Sequence, residues 1–163
     1  MRRPVPFLAA LLAAALLTAC AGMSLPGAGE PAPTEARGAV IAAASAQIGA
    51  PYRYGGADRK GFDDAGFVHF AFEEAGFDLP RDREAQLRAG RPIRFAEARP
   101  GDLLFHRVER TRNGRERAIL HVGLYIGDGS MLHASLDRDE VALETVDNAY
   151  WFQRRVAVIQ VLP

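Results

Sequence analysis

Two histidines and two adjacent carboxylates are the side chains of this sequence that could carry out chemistry. His121 and His133 lie in separate β-rich runs, and Asp63 and Asp64 stand together at the head of an apolar segment. An imidazole beside a carboxylate can act as a general base or can be held in an ion pair. Two histidines and one carboxylate can also form a ligand set for Zn²⁺ or Fe²⁺. Thiol chemistry has one candidate residue, because Cys20 is the only cysteine.

The apolar pattern places these side chains on one helix and two strands. A buried helix is predicted from about Asp63 to Ala75, with Asp63 as its N-cap, because apolar residues cover much of its circumference. Shorter helical patterns cover residues 35–48 and 82–89, and β-rich runs cover residues 102–108, 119–126, 130–134, 141–146 and 155–162. A tight turn at Asp128-Gly129 brings His121 and His133 onto neighbouring strands, so both can face the tip of the helix. Helices followed by an antiparallel meander predict the α+β class.

The N-terminus reads as an export signal followed by an anchor. Residues 1–19 combine two arginines with a short apolar run, which predicts a signal peptide. The segment that ends in Cys20 resembles the bacterial lipobox, which implies a lipid on this cysteine and, with Ala21 next, an outer membrane location facing the periplasm. Residues 20–36 are small and Pro-rich, so they predict a flexible tether, and residues 37–163 predict one domain.

The charge balance argues against nucleic acid as a partner. The chain has 20 basic and 20 acidic residues, and the predicted signal removes Arg2 and Arg3, so the mature form carries 18 against 20, a net of −2. Such a chain is no general binder of polyanions. The single cysteine also excludes an intramolecular disulfide.

Several motifs in order resemble the NlpC-type family of papain-like cell-wall cysteine peptidases. The resemblance spans residues 42–161 and rests on the segments PYRYGG, LPRDREAQLRAG, RPGDLLF, HVGLYIGDG and LHAS. It implies a papain-like fold with N-terminal helices on a small antiparallel sheet, no cofactor, and peptidoglycan stem peptides as ligands. His121 then matches the catalytic base and His133 the residue that orients it. Tyr52 matches an aromatic hydroxyl beside the nucleophile, and Asp63 matches an acid that helps to receive the peptide N-terminus.

The sequence departs from the family at the nucleophile. The family helix usually begins Asp-Cys-Ser-Gly, whereas this chain has Asp64 in place of the cysteine and Ala65 in place of the serine. A carboxylate is a much weaker nucleophile toward amides than a thiolate, and it cannot form a thioester. Cys20 cannot supply the thiol, because it belongs to the lipobox and the tether. Thiol catalysis is therefore predicted to be absent.

Three interpretations of Asp64 remain open. In the first, Asp64 pairs with His121, and the domain binds stem peptides or an envelope protein without cutting them. In the second, Asp64, His121 and His133 bind a metal ion that activates water. In the third, Asp64 or His121 acts directly as a base on water. The first interpretation is preferred, and the expected protein is a lipid-anchored, non-catalytic relative of the peptidases.

Overall fold

The computed structural model describes residues 33–112 and 114–163. The predicted signal peptide, Cys20 and most of the predicted tether lie outside these residues. Helix α1 (Pro33–Ser45) begins before the domain boundary predicted at Arg37, because Ala36 and Val40 lie one turn apart and both pack into the core. Within the described ranges, no helix is long and apolar enough to cross a membrane.

The chain forms helices first and a meander of strands afterwards. The elements after α1 are β1 (Ala57–Asp58), β2 (Gly61–Phe62), α2 (Asp64–Glu74), α3 (Arg83–Leu87), β3 (Arg91–Ile93), β4 (Leu103–Arg112), β5 (Arg115–Gly127), β6 (Ser130–Ser135), β7 (Glu140–Thr145), α4 (Ala149–Arg154) and β8 (Arg155–Gln160). The predicted α+β class is confirmed. The ribbon of β1 and β2, strand β3 and helix α4 were not predicted.

Six strands form one antiparallel sheet in the order β3-β8-β4-β5-β6-β7. Strands β4 and β5 were predicted to end at Val108 and to begin at Ile119, but their ladder continues to the pair Arg112–Arg115. Hydrophobicity marked only the buried part of this hairpin, whereas the backbone ladder needs no apolar side chain. The result is a long hairpin whose outer part is exposed.

The two faces of the sheet bury separate cores. Helices α1 and α2 cover the face that carries residues such as Phe105, Val122 and Leu132. Trp151 of α4 covers the opposite face with Val108 and Met131. Successive residues of a strand point to opposite faces, so His133 lies on the same face as Met131. The sheet therefore separates the α2 side from the Trp151 side.

The β5–β6 ladder opens near the head of α2. Its last pair on this side is Leu124–Leu132, and beyond it the two strands separate. Gly66, in the first turn of α2, lets the helix lie directly against the loop before β1, since a Cβ at this position would stand 1.9 Å from the backbone oxygen of Gly56. The packing thus brings the start of α2 to the gap between the strands that carry the two histidines.

Candidate functional site

Asp63 fixes the point at which α2 begins. It is the N-cap of the helix, as predicted, and its Oδ1 accepts a hydrogen bond of 2.7 Å from the backbone N–H of Gly66. Its Oδ2 accepts hydrogen bonds from the backbone N–H of Gly55, at 3.1 Å, and from Nη2 of Arg81, at 2.7 Å. Arg81 also donates to the backbone oxygen of Gly56. Asp63 therefore joins the helix, the loop before β1 and the segment before α3.

Asp64 is the first helical residue, and four donors surround its carboxylate. Oδ2 accepts hydrogen bonds of 3.0 Å from the backbone N–H of Val122 and from Nε of Arg83, and it lies 3.0 Å from Nδ1 of His121. Oδ1 accepts a hydrogen bond from Nη2 of Arg83. The pair with Arg83 is bidentate, which is the strong geometry for a guanidinium and a carboxylate. The residue is 3% exposed.

The surroundings keep Asp64 ionised. Burial alone would raise the pKa of its carboxyl group, but the contacts with His121 and Arg83 outweigh burial and hold this pKa well below its usual range. The same pair raises the pKa of Arg83 above its ordinary value despite the cost of burial. The first turn of the helix favours an anion as well. Position 64 is thus a fixed negative charge inside a positive environment.

His121 and His133 continue from Asp64 as a relay. Nδ1 of His121 faces Asp64, and Nε2 of His121 lies 2.9 Å from Nδ1 of His133. Burial, reinforced by the neighbouring His121, lowers the pKa of His133 to about 2. Both rings are buried, at 2% and 3% exposure. The predicted site residues on the strands are therefore brought together with Asp64, in the order carboxylate, imidazole, imidazole.

Trp151 and His106 complete the buried cluster around the relay. The indole of Trp151 stacks at 6.1 Å from the ring of His121 and meets His133 edge-on at 5.8 Å. His106 lies directly opposite His121 in the β4–β5 ladder and contacts Trp151 at 4.8 Å. Burial, together with the neighbouring His121, lowers the pKa of His106 to about 3. His106 is thus a neutral packing residue.

Tyr52 and Ala65 lie beside this centre. Burial, then the negative charges of Asp64 and Asp63, raise the pKa of the half-buried Tyr52 hydroxyl. Ala65 is buried, and its backbone oxygen accepts a hydrogen bond of 2.9 Å from Nε2 of Gln86. Position 65 therefore presents a methyl group inside the core and adds no hydroxyl to the site.

The side chains that could bind a metal lie in a line. One nitrogen of His121 faces Asp64 and the other faces His133, so the three residues do not converge on one point. The described ranges contain no group of three or more histidine, cysteine or acidic side chains placed to hold a metal ion. The geometry gives the metal interpretation no support.

Arg81 and Arg83 are the site residues that the sequence analysis missed. They lie two positions apart where the chain enters α3, and each pairs with one acid at the head of α2, Arg81 with Asp63 and Arg83 with Asp64. A buried carboxylate needs a cation or several donors. Two acids at the head of a helix predicted to be buried should therefore have prompted a search for two partner cations, although sequence spacing alone could not say which of the chain's many arginines they are.

The fold and the site define a papain-like domain with a helix-borne residue facing a relay of histidines. The NlpC/P60 family profile matches residues 49–160, more than half of the chain. The chain belongs to the NlpC/P60 family.

Similar proteins come from several bacteria. A protein of Mycobacterium tuberculosis named "Probable endopeptidase" is 41% identical over 99 residues, which are 61% of this chain and 23% of that protein. The murein DD-endopeptidase MepH of Escherichia coli is 34% identical over 120 residues, covering 71% of this chain and 42% of MepH. The structure of the peptidoglycan hydrolase RipB of M. tuberculosis superposes with a TM-score of 0.66 at 32% identity, covering 80% of this chain and 67% of RipB. The chain spans less than half the length of the two enzymes compared by sequence.

Proposed function

We propose that this chain is a lipid-anchored envelope protein that binds peptidoglycan stem peptides and does not cut them by thiol chemistry. The observation that carries the proposal is that Asp64 stands at the nucleophile position with its carboxylate held by neighbouring groups. Arg83, His121 and the backbone N–H of Val122 hold it. The name of RipB supports peptidoglycan as the class of ligand.

The bonding of Asp64 argues against its acting as a nucleophile or a base. To attack a carbonyl carbon, an oxygen must turn a lone pair toward the substrate, and every contact of this carboxylate stabilises it as an anion in its present position. Its strongly lowered pKa makes it a poor proton acceptor. Arg83 also binds both oxygens of this carboxylate, and the residue is 3% exposed. An incoming peptide would have to displace the guanidinium before it reached the carboxylate.

Both ring nitrogens of His121 are also engaged. Its two nitrogens face Asp64 and Nδ1 of His133, so neither is directed at a water molecule or a leaving group. This arrangement does not favour direct base catalysis on water. Binding needs none of these groups to react, and the Arg81–Asp63 pair and Tyr52 lie beside Asp64.

The anchor at Cys20 belongs to the same proposal. It rests on the lipobox-like segment and the apolar run before it, which lie outside the described residues. Labelling with an alkyne fatty acid in a Gram-negative host should modify the wild-type chain and should fail with Cys20→Ala. Labelling of the alanine variant, or no labelling of the wild type, would remove the anchor from the proposal.

The central experiment compares binding with cutting. Residues 21–163, which contain no cysteine, are incubated with purified sacculi, and bound protein and released peptides are measured together. The wild type should sediment with sacculi and release no peptides above the level of Asp64→Ala. Release of peptides by wild-type protein that Asp64→Ala abolishes would refute the proposal. Absence of sedimentation, with specific capture of an envelope protein, would assign the groove to a protein partner.

The matched gain-of-function variants test whether the groove still accepts a substrate. Asp64→Cys/Ala65→Ser restores the family residues, and a version that adds Arg83→Ala also removes the covering guanidinium. We expect the triple variant to release more peptide than the double variant, since Arg83 covers position 64. Equal release by both would show that Arg83 does not obstruct access.

A further inference from the structure

The outer part of the β4–β5 hairpin, residues 109–118, carries its arginines on one face. The register pairs Arg110 with Arg117 and Arg112 with Arg115, so these four positions share a face of the hairpin. Both acidic residues of this segment stand at positions on the opposite face. Like charges directly opposite each other destabilise a strand pair. The stability of the hairpin therefore does not account for this pattern.

The arginine face of the hairpin lies on the same side of the sheet as helix α4. Val108 stands two positions before Arg110, so both share a face of β4, and Val108 packs in one cluster with Trp151 of α4. Arg110 and Tyr150 line the same depression between the hairpin and α4. The basic face of the hairpin thus continues onto the helix.

Helix α4 adds exposed aromatic side chains to this region. Phe152 is 70% exposed and Tyr150 is 48% exposed, and the guanidinium of Arg154 lies 3.9 Å from the ring centroid of Tyr150. Exposed apolar side chains with a charged rim indicate a site of interaction with a protein or a membrane. We call the following six residues the basic surface: Arg110, Arg115, Arg117, Tyr150, Phe152 and Arg154.

Three cations of the basic surface have no acidic partner. Arg110 donates to Asp137 at 2.8 Å and is thus neutralised. Arg115 and Arg117 are exposed, and no ion pair joins them to the rest of the described chain. Arg154 donates to the backbone oxygen of residue 150, at 3.1 Å, and likewise has no ion pair among the described residues. Their guanidinium groups are free to meet an external anion.

The predicted anchor places a membrane within reach of the basic surface. Twelve residues, 21–32, separate Cys20 from the start of α1, and such a segment spans at most about 40–45 Å when fully extended. A domain of about 130 residues has a radius of gyration of about 14 Å. The tether therefore allows any face of the domain to touch the membrane. The mature chain has a predicted net charge of −2, so long-range attraction to soluble polyanions is not expected, whereas the tether itself supplies the proximity.

We propose that the basic surface rests on the anionic phospholipid headgroups of the membrane to which Cys20 is anchored. Arg115, Arg117 and Arg154 pair with headgroup phosphates, and Phe152 enters the boundary between headgroups and acyl chains. The inference rests on the lipid anchor of the proposed function, because the anchor supplies the membrane. It adds a second, non-covalent contact, which fixes the face that the domain turns toward the bilayer.

Vesicle binding without the anchor tests the surface by itself. Residues 21–163 keep every helix and strand of the fold and both of its cores, and they cannot carry the lipid. Vesicles of phosphatidylethanolamine and phosphatidylglycerol should bind this chain with a midpoint on the order of 1 mM lipid. Phosphatidylcholine vesicles, which carry no net charge, should bind at least about tenfold more weakly, and high salt should remove the difference.

Substitutions in the basic surface should weaken binding stepwise. Arg117→Gln and Arg154→Gln should each weaken binding to anionic vesicles about fivefold, as expected for one basic residue near such a surface. Arg88→Gln removes the same charge from an exposed position on α3 and is the matched control, which should bind as the wild type does. Urea midpoints of Arg117→Gln should equal or exceed that of the wild type, since it removes one of two like charges that lie opposite each other.

The aromatic contribution has its own pair of variants. Phe152→Ser should weaken vesicle binding at least about threefold, because it removes an apolar side chain that enters the bilayer boundary. Ile48→Ser changes an apolar side chain that is 55% exposed at the end of α1, and it should leave binding unchanged.

Three outcomes would overturn the inference. The first is no binding to anionic vesicles, which would leave an acidic protein as the partner of this surface. The second is an equal loss of binding for Arg117→Gln and Arg88→Gln, which would show that net charge alone decides. The third is sacculi sedimentation that Arg117→Gln weakens while vesicle binding stays unchanged, which would assign the surface to the cell wall. Fatty-acid labelling of Cys20 and sacculi sedimentation by the wild type report separately on the proposed function.

Discussion

The pairing of Asp64 with Arg83 predicts a large coupling energy between two side chains that the chemistry of a peptidase would not need. We propose a double-mutant cycle with Asp64→Asn, Arg83→Met and the double variant. Asparagine keeps the shape of the carboxylate, and methionine keeps much of the apolar stem of the arginine. The cycle measures the charge-dependent part of the coupling, because Asp64→Asn removes the charge but keeps one acceptor oxygen.

The magnitude follows from the burial and the contacts of the pair. The side chains of Arg83 and Asp64 are 25% and 4% exposed, so the solvent screens the pair weakly. Complete loss of the partner of a buried charge costs about 3–5 kcal/mol. Arg83→Met leaves Asp64 with His121 and the N–H of Val122, so we expect a loss of about 2–3 kcal/mol and a coupling energy of about 2 kcal/mol.

Urea denaturation at neutral pH measures each corner of the cycle. The exposed pair Arg94–Glu97, with side chains 82% and 45% exposed, is the matched control and should give a coupling energy below about 0.5 kcal/mol. A coupling energy for Asp64 and Arg83 no larger than that of the control would refute the reasoning. It would mean that the guanidinium is not a fixed part of the site.

Three other predictions test the site and the fold. Arg37→Ala should destabilise the domain by about 3–5 kcal/mol in urea, because it leaves Asp102, which is 0% exposed, without its cation at 2.9 Å; an unchanged midpoint would contradict this. Gly66→Ala should lower the free energy of unfolding by about 3 kcal/mol or more, since a Cβ there would stand 1.9 Å from a backbone oxygen. Gly38→Ala, with open space around it, is the control and should be neutral or stabilising by up to about 1 kcal/mol. Equal thermal midpoints for the two variants would refute the close approach. The pKa of Asp64 in the folded protein is lowered from 3.8, so the stability that wild type gains over Asp64→Asn should be complete above pH 3.8 and should decline as pH falls further. Urea midpoints of both proteins, measured from pH 6 to pH 2, should therefore converge only at the acid end.

Local patterns predicted the scaffold of the site well. The N-cap at Asp63, the buried helix after it and the hairpin that carries His121 and His133 all follow from short-range signals. The structure differs from the prediction where the sequence pattern is weak. Helix α4 has only six residues and no apolar repeat, so the sequence pattern did not predict it.

The partner of Asp64 could not be predicted from local patterns. Arg83 is 19 residues away in sequence, and only the packing of α3 against the head of α2 brings the two side chains together. Nothing in the spacing distinguishes Arg83 from Arg88, which lies on the same short segment. Long-range ion pairs depend on the tertiary arrangement, whereas caps and turns are set within a few residues.

The substitution at position 64 makes physical sense as the exchange of one anion for another. The first turn of a helix, an imidazole and a strand N–H all stabilise negative charge at this point, which is how such a site lowers the pKa of a thiol. An apolar residue there would leave the N–H of Val122 and the guanidinium of Arg83 without their acceptor. A carboxylate satisfies every donor but cannot form an acyl-enzyme with an amide substrate. The same electrostatics that would activate a thiolate therefore hold Asp64 as an anion in a fixed position.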